Sequence, residues 1–177
     1  MKEKKILVWE IIGIIFIIFL GSASHFFFEF SGSWIPIGMF SPVNESVWEH
    51  LKLTYWPLIL FCLIQYKFLY TESNNFLIAK FIVAILMNVI IVSVFYSYTS
   101  IVGTESLVVD IFSFILAVII GQLISYKIMT YKDFSKKTTL ISLIGLIIYG
   151  LIFIIFTFFP LELPIFLDQE AGLYGIP

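Results

Sequence analysis

Five long apolar runs dominate the chain, and short polar stretches separate them. The runs cover approximately residues 6–28, 51–70, 76–98, 107–126 and 138–159. Each is long enough for a helix that crosses a hydrocarbon core of roughly 30 Å, which needs about 20 residues. None of the runs alternates with a period of two, and lipid offers a spanning segment no backbone hydrogen-bond partner outside itself. The pattern therefore predicts an all-α polytopic integral membrane helix bundle with five transmembrane helices.

The composition strengthens this prediction and excludes other classes of protein. The chain has 177 residues, of which 60% are hydrophobic and 12% are charged, whereas a soluble domain has about 25% charged residues. A globule of this size leaves roughly 30% of its unfolded surface exposed, so the excess apolar surface must face lipid. We expect one membrane domain over residues 1–177, with membrane lipid as a partner and no nucleic acid. The single cysteine, Cys62, excludes an intrachain disulfide and a cysteine-based zinc cluster.

The lysines predict the orientation of the bundle. Of the 10 basic residues, all of them lysines, only Lys52 falls outside one face of the predicted bundle, and Lys80 is expected to reach that face by snorkelling. The positive-inside rule makes this face cytoplasmic. The N-terminus is then predicted inside and the C-terminus outside. The N-terminal run is too long for a typical signal peptide and contains Glu10, which argues against cleavage.

The opposite, outer face collects acids and both histidines of the chain. Ionisable residues at the edge of lipid are usually functional or paired with one another. The outer face is therefore predicted to carry a polar site, drawn from His25, His50, Glu29, Glu45, Glu49, Glu105, Asp110, Glu162, Asp168 and Glu170.

The end of the first run supplies one half of this site. Helical spacing would put Ser22, His25 and Glu29 on one face of the helix. An unpaired imidazole is costly to bury, so His25 should point into the bundle. The alternative is a structural histidine that caps the end of the helix.

Residues 41–53 form the second half and are predicted to be a short amphipathic helix that leads into the second span. Ser41, Asn44 and Ser46 are alternative N-caps, and Glu49 would complete a capping box with Ser46. On a helical wheel, Glu45, Glu49 and Lys52 lie together, with Ser46 and His50 beside them. The alternative is an interfacial helix within an aromatic belt formed by Trp34, Trp48 and Trp56.

Three more features bear on the site or the bundle. The side chain of Asp110 is expected to point into the bundle, because it shares a helix face with small residues that suit helix packing. The tail, residues 160–177, should fold back over the outer surface as a lid that offers Asp168, Glu170 or Tyr174; the alternative is a frayed terminus. Asn88 is expected to form a hydrogen bond between helices.

The motif from Pro42 to Leu53, PVNESVWEHLKL, resembles an uncharacterised family of small bacterial membrane proteins that is catalogued as a domain of unknown function. The segments from His25 to Glu29 and from Phe166 to Gly175 are similar to the same family. This resemblance implies a multi-pass protein of the bacterial plasma membrane, and it implies no activity.

Three functions compete. The first is an integral-membrane enzyme, a hydrolase or acyltransferase, that acts on a lipid, lipoprotein or envelope precursor at the extracytoplasmic boundary. Its divalent metal, zinc or manganese, would be bound by His25, Glu29, His50 and Glu45. The predicted catalytic residues are Glu49, Glu45, His50 and Asp168. A metal-free variant uses the same residues for acid–base chemistry. The alternatives are a non-catalytic scaffold or partner subunit, and a small ion or proton-coupled transporter that would need an oligomer.

Overall fold

A computed structural model describes residues 2–176, so Met1 and Pro177, which belong to the predicted domain and tail, lie outside the described residues. Long helices make up most of the fold: α1 (Lys2–Ser24), α5 (Lys52–Leu69), α6 (Phe76–Val102), α7 (Leu107–Thr130) and α8 (Lys136–Phe158). Shorter elements connect or follow them: α2 (Phe27–Phe30), α3 (Ile35–Gly38), α4 (Val47–His50), a 3₁₀ turn (Pro164–Phe166), β1 (Leu167–Asp168) and β2 (Leu173–Tyr174).

The long helices run alternately between two ends of the bundle. We call the end with residues 2–5, 67–75 and 127–137 the lysine end, and the end with residues 25–51, 103–106 and 159–176 the histidine end. At the lysine end, Asn74 Nδ2 donates to the Tyr131 carbonyl over 2.6 Å and Asn75 Nδ2 to the Lys132 carbonyl over 3.0 Å. These bonds join the loop before α6 to the loop that follows α7, so the two loops lie at the same end of the bundle.

Four of the long helices, α1, α6, α7 and α8, are long and apolar enough to cross a membrane. Only 28% of the apolar stretch of α1 and 22% of that of α8 is buried, so most of their apolar side chains face outward, as lipid-facing residues do. The predicted helical architecture is confirmed, and these four helices are candidates to span a membrane. The span predicted over residues 51–70 corresponds to α5, which is not among the four.

Contact between α1 and α5 brings the two halves of the predicted site together. A Cβ atom at Gly21 would collide with the carbonyl oxygen of Leu53 and with the ring of Phe114. Pro57, inside α5, has no N–H to offer that carbonyl. The missing side chain of Gly21 therefore lets the end of α1 pack directly on the beginning of α5.

Lys80 is buried, which corrects the expectation that it snorkels to the membrane surface. Its side chain is 0% exposed, and Nζ lies 2.8 Å and 3.1 Å from the two carboxylate oxygens of Glu10. Ser125 Oγ lies 3.1 Å from the same ammonium, and Gln65 Nε2 donates to Glu10 over 2.8 Å. A buried charge is costly unless paired and hydrogen-bonded, so Lys80 joins α6 to α1 and α7 instead of reaching water.

Asn88 makes the predicted hydrogen bonds between helices. Its Oδ1 accepts from the hydroxyl of Thr54 on α5, and its Nδ2 donates to the Tyr149 hydroxyl on α8 over 2.7 Å. Asn88 therefore ties α6 to both neighbours.

The C-terminal tail folds back onto the histidine end. Phe166 is 4% exposed, and its ring centroid lies 4.9 Å from that of Trp48 and 5.3 Å from that of Phe156. Asn44 Nδ2 donates to the Gly175 carbonyl over 2.7 Å. The tail thus packs on α4 through the ring of Phe166, and the hydrogen bond between Asn44 and Gly175 ties its end to the loop before α4.

Candidate functional site

Helix α1 ends at Ser24, earlier than the predicted boundary at residue 28. Ser24 Oγ donates to the Gly21 carbonyl over 2.9 Å. The Ser41 hydroxyl donates to the Ser24 carbonyl over 2.6 Å and accepts from the backbone N–H of Phe28. Because these side chains take over backbone groups that would continue the helix, His25 lies in a turn between α1 and α2.

This break changes the set of predicted metal ligands. Glu29 is exposed on α2, and the expected helical face of Ser22, His25 and Glu29 is not formed. Within residues 2–176, the group whose possible ligand atoms lie within 4.8 Å of one another consists of His25, Glu45 and His50. Glu29 is therefore absent from the cluster that the other three predicted ligands form.

The second segment begins its helix at Ser46. Ser46 Oγ accepts from the Glu49 N–H over 3.4 Å, and the Ser46 N–H donates to Asn44 Oδ1 over 3.0 Å. The carboxylate of Glu49 thus takes no part in a reciprocal capping box. Because Glu45 precedes the helix, the wheel that placed Glu45 and Glu49 together does not apply, and these two carboxylates have separate surroundings.

Glu49 is occupied by structural contacts. It is 2% exposed, pairs with the fully buried Lys52, and accepts from the Val43 N–H over 3.0 Å and from the Thr157 hydroxyl over 3.1 Å. Lys52 also donates to the Gly38 carbonyl over 2.7 Å. The carboxylate of Glu49, a predicted catalytic residue, therefore lies outside the group formed by His25, Glu45 and His50, and it holds the loop before α4 onto α8.

Asp168, another predicted catalytic residue, accepts hydrogen bonds from backbone N–H groups. It is 6% exposed; Oδ2 accepts from the Glu45 N–H over 3.1 Å, and Oδ1 accepts from the N–H groups of Glu170 and Ala171 at 2.9 Å each. Asp168 therefore closes the turn of the tail and fixes the backbone of Glu45, so it positions a cluster residue without joining the cluster.

The three convergent residues form a compact group. His50 Nε2 lies 3.3 Å from Glu45 Oε2, and His25 Nε2 lies 3.9 Å from Glu45 Oε1. The two imidazole centroids are 5.1 Å apart. The carboxylate of Glu45 is therefore close to Nε2 of both histidines. We call these residues the His–Glu–His cluster.

A hydrogen bond to the backbone determines which ring nitrogen of His50 carries the hydrogen in the neutral imidazole. Nδ1 of His50 lies 2.9 Å from the carbonyl oxygen of Ser46. A carbonyl oxygen only accepts, so Nδ1 carries the hydrogen. Nε2 is then the nitrogen that binds a further proton or a cation, and it is the one that faces Glu45.

The protonation of the cluster follows from its geometry. Burial lowers the pKa of His50, but hydrogen bonds to Glu45 and to the Ser46 carbonyl outweigh it, and the net shift is upward. The hydrogen bond with His50 is the main reason why the pKa of Glu45 is lowered. Burial, followed by the charge of His50, lowers the pKa of His25. These shifts favour protonation of His50 over that of His25, and they favour an ionised Glu45.

The cluster opens into a cavity of about 620 Å³ between α1, α4, α6, α7 and the tail. Eight of the residues that line it are apolar: Phe26, Val47, Leu53, Ile91, Phe95, Leu107, Ile111 and Phe114. The other eight are polar: Ser22, His25, Glu45, His50, Glu105, Asp110, Ser113 and Glu170. Of the described residues that line the cavity, none is a lysine.

Asp110 and Glu105 are further carboxylates in this wall. Asp110 accepts from the Tyr98 hydroxyl at 2.9 Å and 3.0 Å, and Tyr98 accepts from the Ser106 N–H. Burial raises the pKa of Glu105, and the charge of Asp110 adds to this shift. The expected inward orientation of Asp110 agrees with its place in the wall. Tyr98 was missed, because its only signal is a hydroxyl near the end of an apolar run.

The chain belongs to a family of unknown function, DUF6512, whose profile matches residues 1–176. No curated protein and no solved structure matches the chain.

Proposed function

We propose that this member of the family is an integral-membrane enzyme, a hydrolase or acyltransferase, that acts on a lipid, lipoprotein or envelope precursor. The observation that carries the proposal is the convergence of His25, Glu45 and His50 at a cavity that is lined by both apolar and polar side chains. A ligand with an acyl chain and a polar linkage fits such a cavity, since binding sites combine apolar walls with a few oriented polar groups.

The membrane placement in this proposal has five spans, with α5 as the fifth, in the plasma membrane of a bacterium. Thr54, Gln65 and Lys52, the polar residues that make α5 less apolar, are buried within the bundle and need not face lipid. The positive-inside rule then puts the lysine end in the cytoplasm, with the N-terminus inside and the C-terminus outside. The cavity would lie at the extracytoplasmic boundary, where acyl chains and headgroups meet.

The chemistry proposed for the cluster is acid–base catalysis of acyl transfer. Once His50 has released its proton, Nε2 accepts the proton of a water or hydroxyl whose oxygen bonds to the ester carbonyl carbon. The same proton then passes to the leaving alkoxide as the ester C–O bond breaks. Glu45 stabilises the imidazolium between these steps, and the Ser46 carbonyl holds the tautomer.

The test is lipid turnover by the purified full chain in vesicles. The vesicles contain phospholipid, diacylated lipoprotein or a lipid-linked wall precursor, and mass spectrometry follows the products. His50→Gln and Glu45→Gln are expected to reduce turnover at least about 100-fold, the usual range for an acid–base group. Glu29→Gln is the matched control, since Glu29 is an exposed carboxylate outside the cluster. Absence of turnover for all three substrate classes, or unchanged turnover in His50→Gln, refutes the proposal.

A second candidate, a non-catalytic scaffold or partner subunit, is favoured by the contacts of Glu49 and Asp168. Both carboxylates hold backbone N–H groups of the loops at the histidine end. In this role the loops form a fixed docking surface, and substitutions in the His–Glu–His cluster leave partner capture unchanged. Crosslinking combined with the turnover assay distinguishes the two: the scaffold role expects partners to be captured by a chain that turns over no lipid, whereas the enzyme proposal expects turnover that His50→Gln abolishes.

A further inference from the structure

We infer that the His–Glu–His cluster is a binding site for one divalent transition-metal ion, with zinc as the preferred ion. The ligands are Nε2 of His25, Nε2 of His50 and the carboxylate of Glu45. This inference goes beyond the proposed function and differs from its acid–base chemistry, because Nε2 of His50 can hold either the ion or the transferred proton.

The ligand atoms would have to draw together around a tetrahedral ion. Zinc binds imidazole nitrogen at about 2.0–2.1 Å and carboxylate oxygen at about 2.0–2.2 Å, so two ligand atoms lie about 3.3 Å apart in a tetrahedral site. His50 Nε2 lies 3.3 Å from Glu45 Oε2 and His25 Nε2 lies 3.9 Å from Glu45 Oε1, and the possible ligand atoms of the three residues lie within 4.8 Å of one another. The side chain of Glu45 is 49% exposed, so it has room to rotate towards an ion.

The orientation of His50 is the one that metal-binding histidines adopt. A ligand histidine generally donates its second ring N–H to a carboxylate or a backbone carbonyl, which fixes the tautomer. His50 donates Nδ1–H to the Ser46 carbonyl over 2.9 Å. Nε2 of His50 therefore faces the Glu45 carboxylate, where it can hold either a proton or a metal ion between the two groups.

The surroundings favour a cation and leave room for a fourth ligand. Glu105, Asp110 and Glu170 line the same cavity as the cluster. Carboxylates on the wall of a low-dielectric cavity concentrate cations there. The three protein ligands leave one position open, and the cavity in front of it can hold water or a substrate oxygen, as in catalytic zinc sites.

The ligand chemistry separates zinc from magnesium, calcium and manganese, and it is shared with iron(II), which the titration includes as a competitor. Two imidazoles with one carboxylate suit zinc, whereas magnesium and calcium prefer sites built from oxygen. Manganese also prefers oxygen ligands, so zinc is favoured over it.

The test measures metal binding by the full chain in detergent, without any substrate. The protein is stripped with chelator and titrated with zinc against a chromophoric competitor, and bound zinc is counted by mass spectrometry. One zinc per chain is expected. His25→Ala, His50→Ala and Glu45→Gln should each weaken binding at least tenfold, whereas Glu29→Gln should bind like the unchanged chain. Cobalt in place of zinc should give the absorption bands of a tetrahedral site, and these bands should be lost in His50→Ala.

The outcomes are separable from those of the proposed function. Binding of less than one zinc per chain at micromolar concentration overturns the metal site. So does a zinc affinity of His25→Ala and His50→Ala that equals that of the unchanged chain. Each variant is first checked by thermal unfolding without metal, and His25→Asn and His50→Asn replace any alanine variant that does not fold. Turnover that needs His50 without bound metal refutes this inference alone. Stoichiometric zinc without turnover of any lipid refutes the enzyme proposal alone.

Discussion

Breaking the buried pair of Glu10 and Lys80 should destabilise the bundle far more than removing both charges. The Lys80 side chain is 0% exposed and that of Glu10 is 1% exposed. Removing one partner of a buried ion pair typically costs about 3–5 kcal/mol, because the other charge remains buried without compensation. We expect a loss of this size for Lys80→Met, in which Glu10 keeps only the amide of Gln65.

The double variant Glu10→Met/Lys80→Met removes both charges. Its remaining penalty comes from Gln65 and Ser125, each of which loses a partner, at about 1–3 kcal/mol for an unsatisfied buried group. The double variant should therefore be more stable than Lys80→Met alone, and the coupling free energy between the two sites should be several kcal/mol.

The assay is reversible unfolding in mixed micelles, with the four proteins of a double-mutant cycle measured side by side. The pair of Lys5 and Glu72 serves as the control, since these side chains are 41% and 43% exposed. The same cycle there should give about 0–1 kcal/mol of coupling. The reasoning is refuted if Lys80→Met lowers the free energy of unfolding by less than about 1 kcal/mol. It is also refuted if the losses of the two single variants add up to that of the double variant.

Three further substitutions test other parts of the structure. Gly21→Ala should lower stability by about 1–3 kcal/mol, because the new methyl group meets the Leu53 carbonyl; unchanged unfolding would argue against that close contact. Asp168→Ala should leave three backbone N–H groups without their acceptor and expose the tail to limited proteolysis; an unaltered cleavage rate refutes its role in closing the turn. Asn88→Leu should cost less than about 2 kcal/mol, since hydrogen bonds between membrane helices average about 0.6 kcal/mol; a loss as large as that of Lys80→Met contradicts this ranking.

The apolar pattern predicted the long helices because lipid and backbone hydrogen bonding leave few alternatives for runs of this length. The same pattern could not locate the end of α1. That boundary depends on the hydroxyl of Ser41, which lies 17 residues beyond the Ser24 carbonyl to which it donates. Helical periodicity carries no information about such a contact, so the predicted face that included Glu29 continued one turn too far.

The carboxylates of residues 41–53 show the same limit. Glu45 and Glu49 are four residues apart and carry the same chemistry, so a helical wheel treats them as equivalent. The hydroxyl of Thr157 bonds to Glu49 and distinguishes it from Glu45, and Thr157 lies 108 residues after Glu49 in the chain. The two histidines could be assigned to one end of the bundle from the lysine distribution, but their convergence depends on the contact of Gly21 with α5.

The acids of the chain can be sorted by whether their hydrogen-bonding capacity is used within the protein. Glu10, Glu49 and Asp168 are buried and bonded to a lysine or to backbone N–H groups, so they hold helices and loops together. Glu45 is different, since its carboxylate is half exposed, lines the cavity and faces the nitrogen of His50 whose tautomer is fixed. A group that is positioned by its surroundings but still open to a ligand is what binding and catalysis require. Asp168 thus fixes the backbone of Glu45 while the Glu45 side chain stays open to the cavity, and this contrast supports the proposal that Glu45 binds a substrate or an ion.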